Sequence, residues 1–228
     1  MRRIVGSRHA ATASNAKKNT LMAILDIHTH KSVPYPEGLV SLRINGESFD
    51  EILPGQLYSA GIHPWDVPDL DAEKAFAQLE EIANNPQIVA IGECGVDLMR
   101  GGAMFRQLQV FRHHVELSES IGKPLIIHCV KGDDIICGLR RDLRPAQPWV
   151  IHGYRGKPGG ASALLRAGCH LSFGEKFNPD TVAFALDTAP DRILAETDES
   201  PLSIAEIITN LHLSPNLIAS NTADLLKF

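Results

Sequence analysis

Eight short apolar runs, interleaved with stretches of helical periodicity, limit what this chain can fold into. The runs lie near residues 24–28, 39–44, 57–62, 88–93, 125–129, 149–152, 170–174 and 193–197. Ile88-Val89-Ala90-Ile91 and Leu125-Ile126-Ile127 are apolar at every position. That pattern suits parallel strands covered on both faces, not the alternation of a half-exposed sheet. Helical patterns fill most gaps, near 71–84, 103–121, 132–143, 157–167, 178–188, 203–210 and 214–226. Asp71, Ser203 and Ser214 stand where N-caps are needed, and Gly168 where a helix must stop before the seventh strand. Strand–helix alternation repeated this way predicts an α/β fold, a (β/α)8 TIM barrel. The first βα units are thin. Between His30 and Gly61 only a short stretch at 48–53 looks helical, so the barrel is expected to be trimmed there.

A length of 228 residues suits one such barrel. Residues 23–228 are expected to form it without an internal linker. The first 20 residues differ: they carry Arg2, Arg3, Arg8, Lys17 and Lys18 and no acid. Residues 1–22 are expected to be a disordered tail, or to precede a true start at Met22; a transit-like peptide is the other reading. No apolar run approaches the roughly 20 residues that span a bilayer, so no membrane association is expected. The net charge of −5 argues against a general nucleic-acid coat protein, although local patches decide phosphate contact. The four cysteines, Cys94, Cys129, Cys137 and Cys169, form no Cys-x-x-Cys pair. They suggest a reducing, cytoplasmic setting and small buried side chains, not zinc knuckles or disulfides.

In a barrel of this kind the active site forms at the C-terminal ends of the strands. The first run ends in His28 and His30, whose i, i+2 spacing aims both imidazoles to one side. Later runs end at His63, Glu93, His128, His152 and Asp198. Each alone reads as an ordinary hydrogen-bonded or capping residue. Gathered at one end of one barrel they need a shared explanation, because buried ionisable groups without partners are costly. A metal centre supplies it. Four His, one Glu and one Asp (His28, His30, His128, His152, Glu93 and Asp198) exceed the shell of a structural zinc and suit two adjacent divalent ions. The mixed N/O set fits Zn, Mg or Mn. A divalent ion acidifies a bound water into a nucleophile, and a nearby carboxylate can take its proton.

In order, these strand ends resemble the TatD family of metal-dependent hydrolases. The matching stretches are Asp26-Ile27-His28-Thr29-His30, Gly61-Ile62-His63-Pro64-Trp65, Ile91-Gly92-Glu93-Cys94-Gly95-Val96-Asp97, Ile127-His128-Cys129, Ile151-His152-Gly153-Tyr154-Arg155-Gly156 and Glu196-Thr197-Asp198-Glu199-Ser200-Pro201, with the closing segment from Asn221. The resemblance implies a barrel with a metal pair: His28, His30 and Asp198 on one ion, His128 and His152 on the other, Glu93 bridging. It implies phosphodiester hydrolysis, typically by a DNase on single-stranded or 3′ ends, with catalytic roles for Glu93 and Asp198 and His63 on the substrate side. The chain departs from the family pattern at Val130, at Gly153-Tyr154 and in the short segment after Asp198, all on the substrate side.

Lys131, Arg155 and Lys157 are candidate phosphate contacts, with ordinary solvation as the alternative. Tyr154 and Trp65 could stack a base, although rim packing suits Trp65 better. Asp97 could orient a ligand histidine or form a turn. The expected activity is that of a divalent-metal-dependent deoxyribonuclease, acting as a monomer without an obligate protein partner. An amide or ester hydrolase on a small substrate, or a metal-binding barrel without turnover, would share the same centre.

Overall fold

The structure, a computed structural model, describes residues 23–47 and 51–227. The expectation for residues 1–22 lies outside the described residues, as does the first half of the stretch at 48–53. Its described part, 51–53, is not helical.

Eight strands appear where the apolar runs lie: β1 (Asp26–Thr29), β2 (Gly38–Arg43), β3 (Leu57–Gly61), β4 (Ile88–Asp97), β5 (Leu125–Val130), β6 (Trp149–Ile151), β7 (His170–Phe173) and β8 (Ile193–Ala195). They pair in sequence order, all parallel. A parallel bridge between Thr29 and Asp198 joins the first strand to the segment after the last. The result is a (β/α)8 TIM barrel. Helices α1 (Ala72–Ala83), α2 (Met104–Ile121), α3 (Asp133–Leu143), α4 (Pro158–Arg166) and α5 (Pro179–Thr188) fill the crossovers from β3 onward; α6 (Ile204–Asn210) and α7 (Pro215–Leu226) follow β8. No helix separates β1 from β2, and none is found among the described residues between β2 and β3, so the barrel is trimmed where the sequence pattern is thin. No helix of the described residues is long and apolar enough to cross a membrane.

Local chemistry sets the boundaries. Asp71 accepts a hydrogen bond from Lys74 N at the start of α1, and Ser203 with Glu206 forms a capping box on α6. Ser214 occupies the N-cap of α7 without bonding through its side chain. Gly168 follows α4 at φ 89, the left-handed geometry that ends a helix. Inside the barrel, Ile27, Leu39, Ala90, Ile126, Val150 and Leu194 form one apolar cluster, closed by Leu225 and Leu226 of α7. Outside it, Trp149, Phe111, Phe173 and Leu164 belong to the larger layer between sheet and helices.

The fourth strand is longer than its apolar run. It continues past Glu93 to Asp97, and its register against β5 shifts between Ile91 and Cys94. Gly92 and Gly95 permit this at φ 142 and 139. A Cβ at either would collide with the carbonyl of Ile126 or His128 on β5.

The seam between β1 and β8 relies on side chains. Asp26, fully buried, accepts from Thr197 N at 3.0 Å and Thr197 Oγ1 at 2.6 Å, and from Tyr35 Oη at 3.1 Å. Thr29 Oγ1 lies 2.7 Å from Thr197 Oγ1. A second anchor is His114 of α2. Its Nε2 accepts Ile62 N–H at 2.9 Å, so Nδ1 carries the proton and donates to Val110 O at 2.8 Å. Burial pushes the His114 pKa down to about 4.

Thr197→Val keeps the shape of the side chain but leaves Asp26 short of a buried donor. It should cost about 1–3 kcal/mol of stability, read from urea unfolding with an unchanged slope. His114 stays neutral in the fold while the unfolded chain takes a proton near its ordinary pKa. Its contribution is therefore complete above about pH 6.5 and lost as pH falls toward about 4, on the order of 3 kcal/mol. His114→Gln should show a shallower loss of stability than the wild type between pH 7 and pH 4.

Candidate metal centre

One carboxylate stands in the middle of the barrel mouth. Glu93, on the β4 segment beyond Gly92, is 6% exposed, and five imidazoles face it. His128 Nδ1 lies 2.8 Å from its Oε1, His152 Nε2 2.9 Å and His63 Nε2 3.0 Å. His28 Nε2 and His30 Nε2 approach its Oε2 at 3.3 and 3.6 Å. Asp198 Oδ1 closes the other side, 3.8 Å from His28 Nε2 and 3.7 Å from His30 Nε2. All six expected ligands are thus brought together. His63, expected on the substrate side, stands within the ring as well as on the cavity wall.

The local backbone explains the convergence. His28 is the third residue of β1, and His30 follows two positions on. Asp198 is held at φ 52, a conformation aspartate tolerates better than most residues. Its N–H donates to His28 O at 3.0 Å, and its carbonyl accepts His30 N–H at 3.1 Å. The backbone pairing of the seam therefore also places three of the six side chains.

Burial works to raise the Glu93 pKa, but His152, His128 and His28 outweigh it and hold the carboxyl well below its usual value. Burial opposes a charge on His152 too, yet Glu93 and Glu196 together raise its pKa well above the usual value. At His63 burial dominates and lowers the pKa. The hydrogen bond and charge of Glu93, with Asp198, raise that of His30.

The residues present fit divalent cations. Both ring nitrogens of His28 are buried without a hydrogen-bond partner, which is costly unless something else meets them. Three groups, His28–His30–Glu93, His63–Glu93–His128 and His152–Glu196–Asp198, each bring their donor atoms within 4.8 Å of one another. The donors are nitrogen and oxygen without thiolate, a set that suits Zn or Mn.

A cavity of about 1120 Å³ opens over the ring. Its wall includes Lys131 and Arg155, both candidate phosphate contacts, and also Asp133, Asp134 and Glu199. Lys157 is exposed at the N-cap of α4 and lies off that wall. Arg43 also lines it but is held by Asp66 through two bonds of 2.6 Å. Tyr154 reaches the wall, yet it is 5% exposed, part of the core, and gives its hydroxyl to Asp133 at 3.3 Å. A ring so enclosed presents little face for stacking. Trp65 sits at the rim with its Nε1 donating to Asp97 Oδ2 at 2.7 Å and Arg100 over its face at 3.8 Å. Cys94 is buried and Cys129 half-buried, and burial raises both thiol pKa values.

Two carboxylates without an assigned ligand role touch the ring. Asp97 lies 3.2 Å from His128 Nε2, and Glu196 3.2 Å from His152 Nδ1. Asp97 meets both sequence expectations, touching His128 and accepting the turn N–H groups of Met99 and Arg100. Glu196 is the residue the sequence reading did not single out, although it stands two positions before Asp198.

The family model described as TatD related DNase matches residues 10–214. The chain belongs to this family. An "uncharacterized metal-dependent hydrolase" from Buchnera aphidicola is 33% identical over 153 residues, 64% of this chain and 57% of that relative. A protein from Erwinia billingiae named 3′-5′ ssDNA/RNA exonuclease TatD is 32% identical over 155 residues, 64% of this chain and 58% of its own length. The chain thus spans less than three-fifths of these curated relatives. Among solved structures, the TatD homolog YjjV from Escherichia coli superposes with a TM-score of 0.74 at 18% identity, over 90% of this chain and 98% of its own. A TatD family hydrolase from Entamoeba histolytica superposes at 0.63 over 74% of each chain, also at 18% identity. Both support the barrel fold of this TatD family member.

Divalent metal at about 100 times its Kd should stabilise the protein by about 2.7 kcal/mol, read as a shift in thermal unfolding. Glu93→Gln should remove that shift while unfolding remains cooperative. A metal that competes with a proton for His152 Nε2 must displace it. The raised His152 pKa therefore predicts that affinity climbs with pH through neutrality and that binding releases protons, measurable by titration in buffers of different ionisation enthalpy.

Proposed function

We propose that this TatD family barrel is a divalent-metal-dependent phosphodiesterase, a deoxyribonuclease acting on single-stranded DNA or 3′ ends. The observation that carries the reading is Glu93 inside a ring of imidazoles, with Asp198 across from it, at the floor of an open cavity. In this reading His28, His30, Glu93, His128, His152 and Asp198 would hold the divalent ions. Bound divalent ions would supply an acidified water and offset charge building on the phosphate.

The chain's own residues then have distinct tasks. The side chain of Asp198 is 28% exposed and reaches both the ring and the cavity, which suits it to take the proton of the attacking water. Lys131 and Arg155 have no ion-pair partner among the described residues and are free to meet phosphate oxygens. His63 touches Glu93 and lines the cavity, so it can steady either. The open cavity of about 1120 Å³ leaves room for a nucleotide chain. The Erwinia relative's name points the same way. The reading takes the protein as a cytoplasmic monomer; its four cysteines are free thiols.

The three carboxylates on the cavity wall favour a second reading, hydrolysis of a small uncharged amide or ester. Digestion of 3′-labelled and 5′-labelled single-stranded oligonucleotides with added Mg, Mn or Zn separates the two. The nuclease reading expects metal-dependent shortening, reduced about 100-fold or more in Asp198→Asn. Intact oligonucleotides beside metal-dependent cleavage of a p-nitrophenyl ester would favour the second.

A further inference from the structure

We propose that Asp97 and Glu196 are positioning residues that hold His128 and His152 with a chosen ring nitrogen turned toward Glu93. The inference rests on the reading that Glu93, His128 and His152 hold metal.

Asp97 is committed to accepting. Its Oδ1 takes Met99 N–H at 2.7 Å and Arg100 N–H at 3.1 Å, and its Oδ2 takes the Trp65 indole N–H at 2.7 Å. The remaining contact of Oδ2 is His128 Nε2 at 3.2 Å. A carboxylate surrounded by donors requires a donor there as well, so the proton sits on Nε2. His128 Nδ1, which faces Glu93 Oε1 at 2.8 Å, is then the nitrogen left to give up its proton to a metal. Gln107 fixes Asp97 from behind, accepting its N–H at 2.8 Å and donating to its carbonyl at 3.1 Å.

Glu196, just past the end of β8, repeats the arrangement at His152 with the ring reversed. His152 points Nδ1 at Glu196 Oε1, 3.2 Å away, and Nε2 at Glu93 Oε1, 2.9 Å away. Glu196 is fully buried, and its Oε2 has no hydrogen-bond partner. A buried carboxylate so poorly satisfied is a liability in a core. Its retention makes sense where it serves His152. Carboxylates outside a metal shell orient ligand imidazoles and raise their basicity, and their loss weakens metal binding.

Glu196, with His152 and Asp198, could instead gather around an ion of its own. His152 Nδ1 cannot donate to Glu196 and bind that ion at once, so stoichiometry separates the two arrangements.

The test is titration of the metal-stripped full chain with Zn²⁺ against a chelating indicator. Wild type, Glu196→Gln, Glu196→Ala and Asp97→Asn are compared, and metal-free melting is recorded for each. We expect unchanged zinc stoichiometry in all four. The Kd should rise about 10-fold in Glu196→Gln and Asp97→Asn and toward about 100-fold in Glu196→Ala, without a matching fall in metal-free melting temperature. If Glu196→Ala does not fold, the isosteric Glu196→Gln decides. Wild-type affinity in Glu196→Gln and Asp97→Asn overturns the proposal. Loss of a whole zinc equivalent in Glu196→Gln also overturns it, making Glu196 a ligand. A wild-type protein that binds no zinc takes down the metal centre itself, a failure distinct from wild-type binding with unaffected variants.

Discussion

A single buried carboxylate organises the mouth of this barrel. Glu93 is nearly inaccessible to water, yet five histidines from four strand ends converge on its two oxygens. A negative charge in that position is tolerable only because imidazoles surround it, and imidazoles so close together are tolerable only because the carboxylate is among them. Such mutual dependence gives the cluster no purpose in the core. Divalent cations, to which every one of these groups can bind, give it one.

The barrel delivers this arrangement through devices that lie off the centre. Gly92 and Gly95 let β4 press against β5, so Glu93 and Asp97 both end up beside His128. The Thr197–Asp26 lock and the Thr29–Asp198 bridge close the seam. That same closure sets His28, His30 and Asp198 facing one another. Fold closure and site assembly are thus one event at this edge.

Most of the scaffold was legible in the chain. Continuous apolar runs such as Ile88–Ile91 and Leu125–Ile127 marked buried parallel strands, and the capping pattern of Asp71 and Ser203 marked the helix starts. The convergence of the six candidate ligands was legible because strand ends are where a barrel places its chemistry. The remainder depended on contacts between distant segments. β4 outran its apolar run because glycines, which carry no hydrophobic signal, let it continue. Asp97 was readable as a partner of a histidine or as a turn residue, and only His128 beside it decides between them; Glu196 gave no signal until His152 stood beside it. Tyr154 looked available for stacking, but packing with Phe173 and its bond to Asp133 enclose it. His63 joined the ring through its own contact with Glu93, which the sequence did not reveal.

Family membership narrows the chemistry without choosing the substrate. The cavity wall mixes Lys131 and Arg155 with Asp133, Asp134 and Glu199, so few groups there would attract a phosphate chain. The metal centre is the more general claim. Anomalous diffraction from crystals soaked in Mn²⁺ or Zn²⁺ tests it most directly. The account predicts two anomalous peaks flanking Glu93, one beside His28, His30 and Asp198 and the other beside His128 and His152. Crystals without a peak at Glu93, with the imidazoles still in direct contact with its carboxylate, would contradict it.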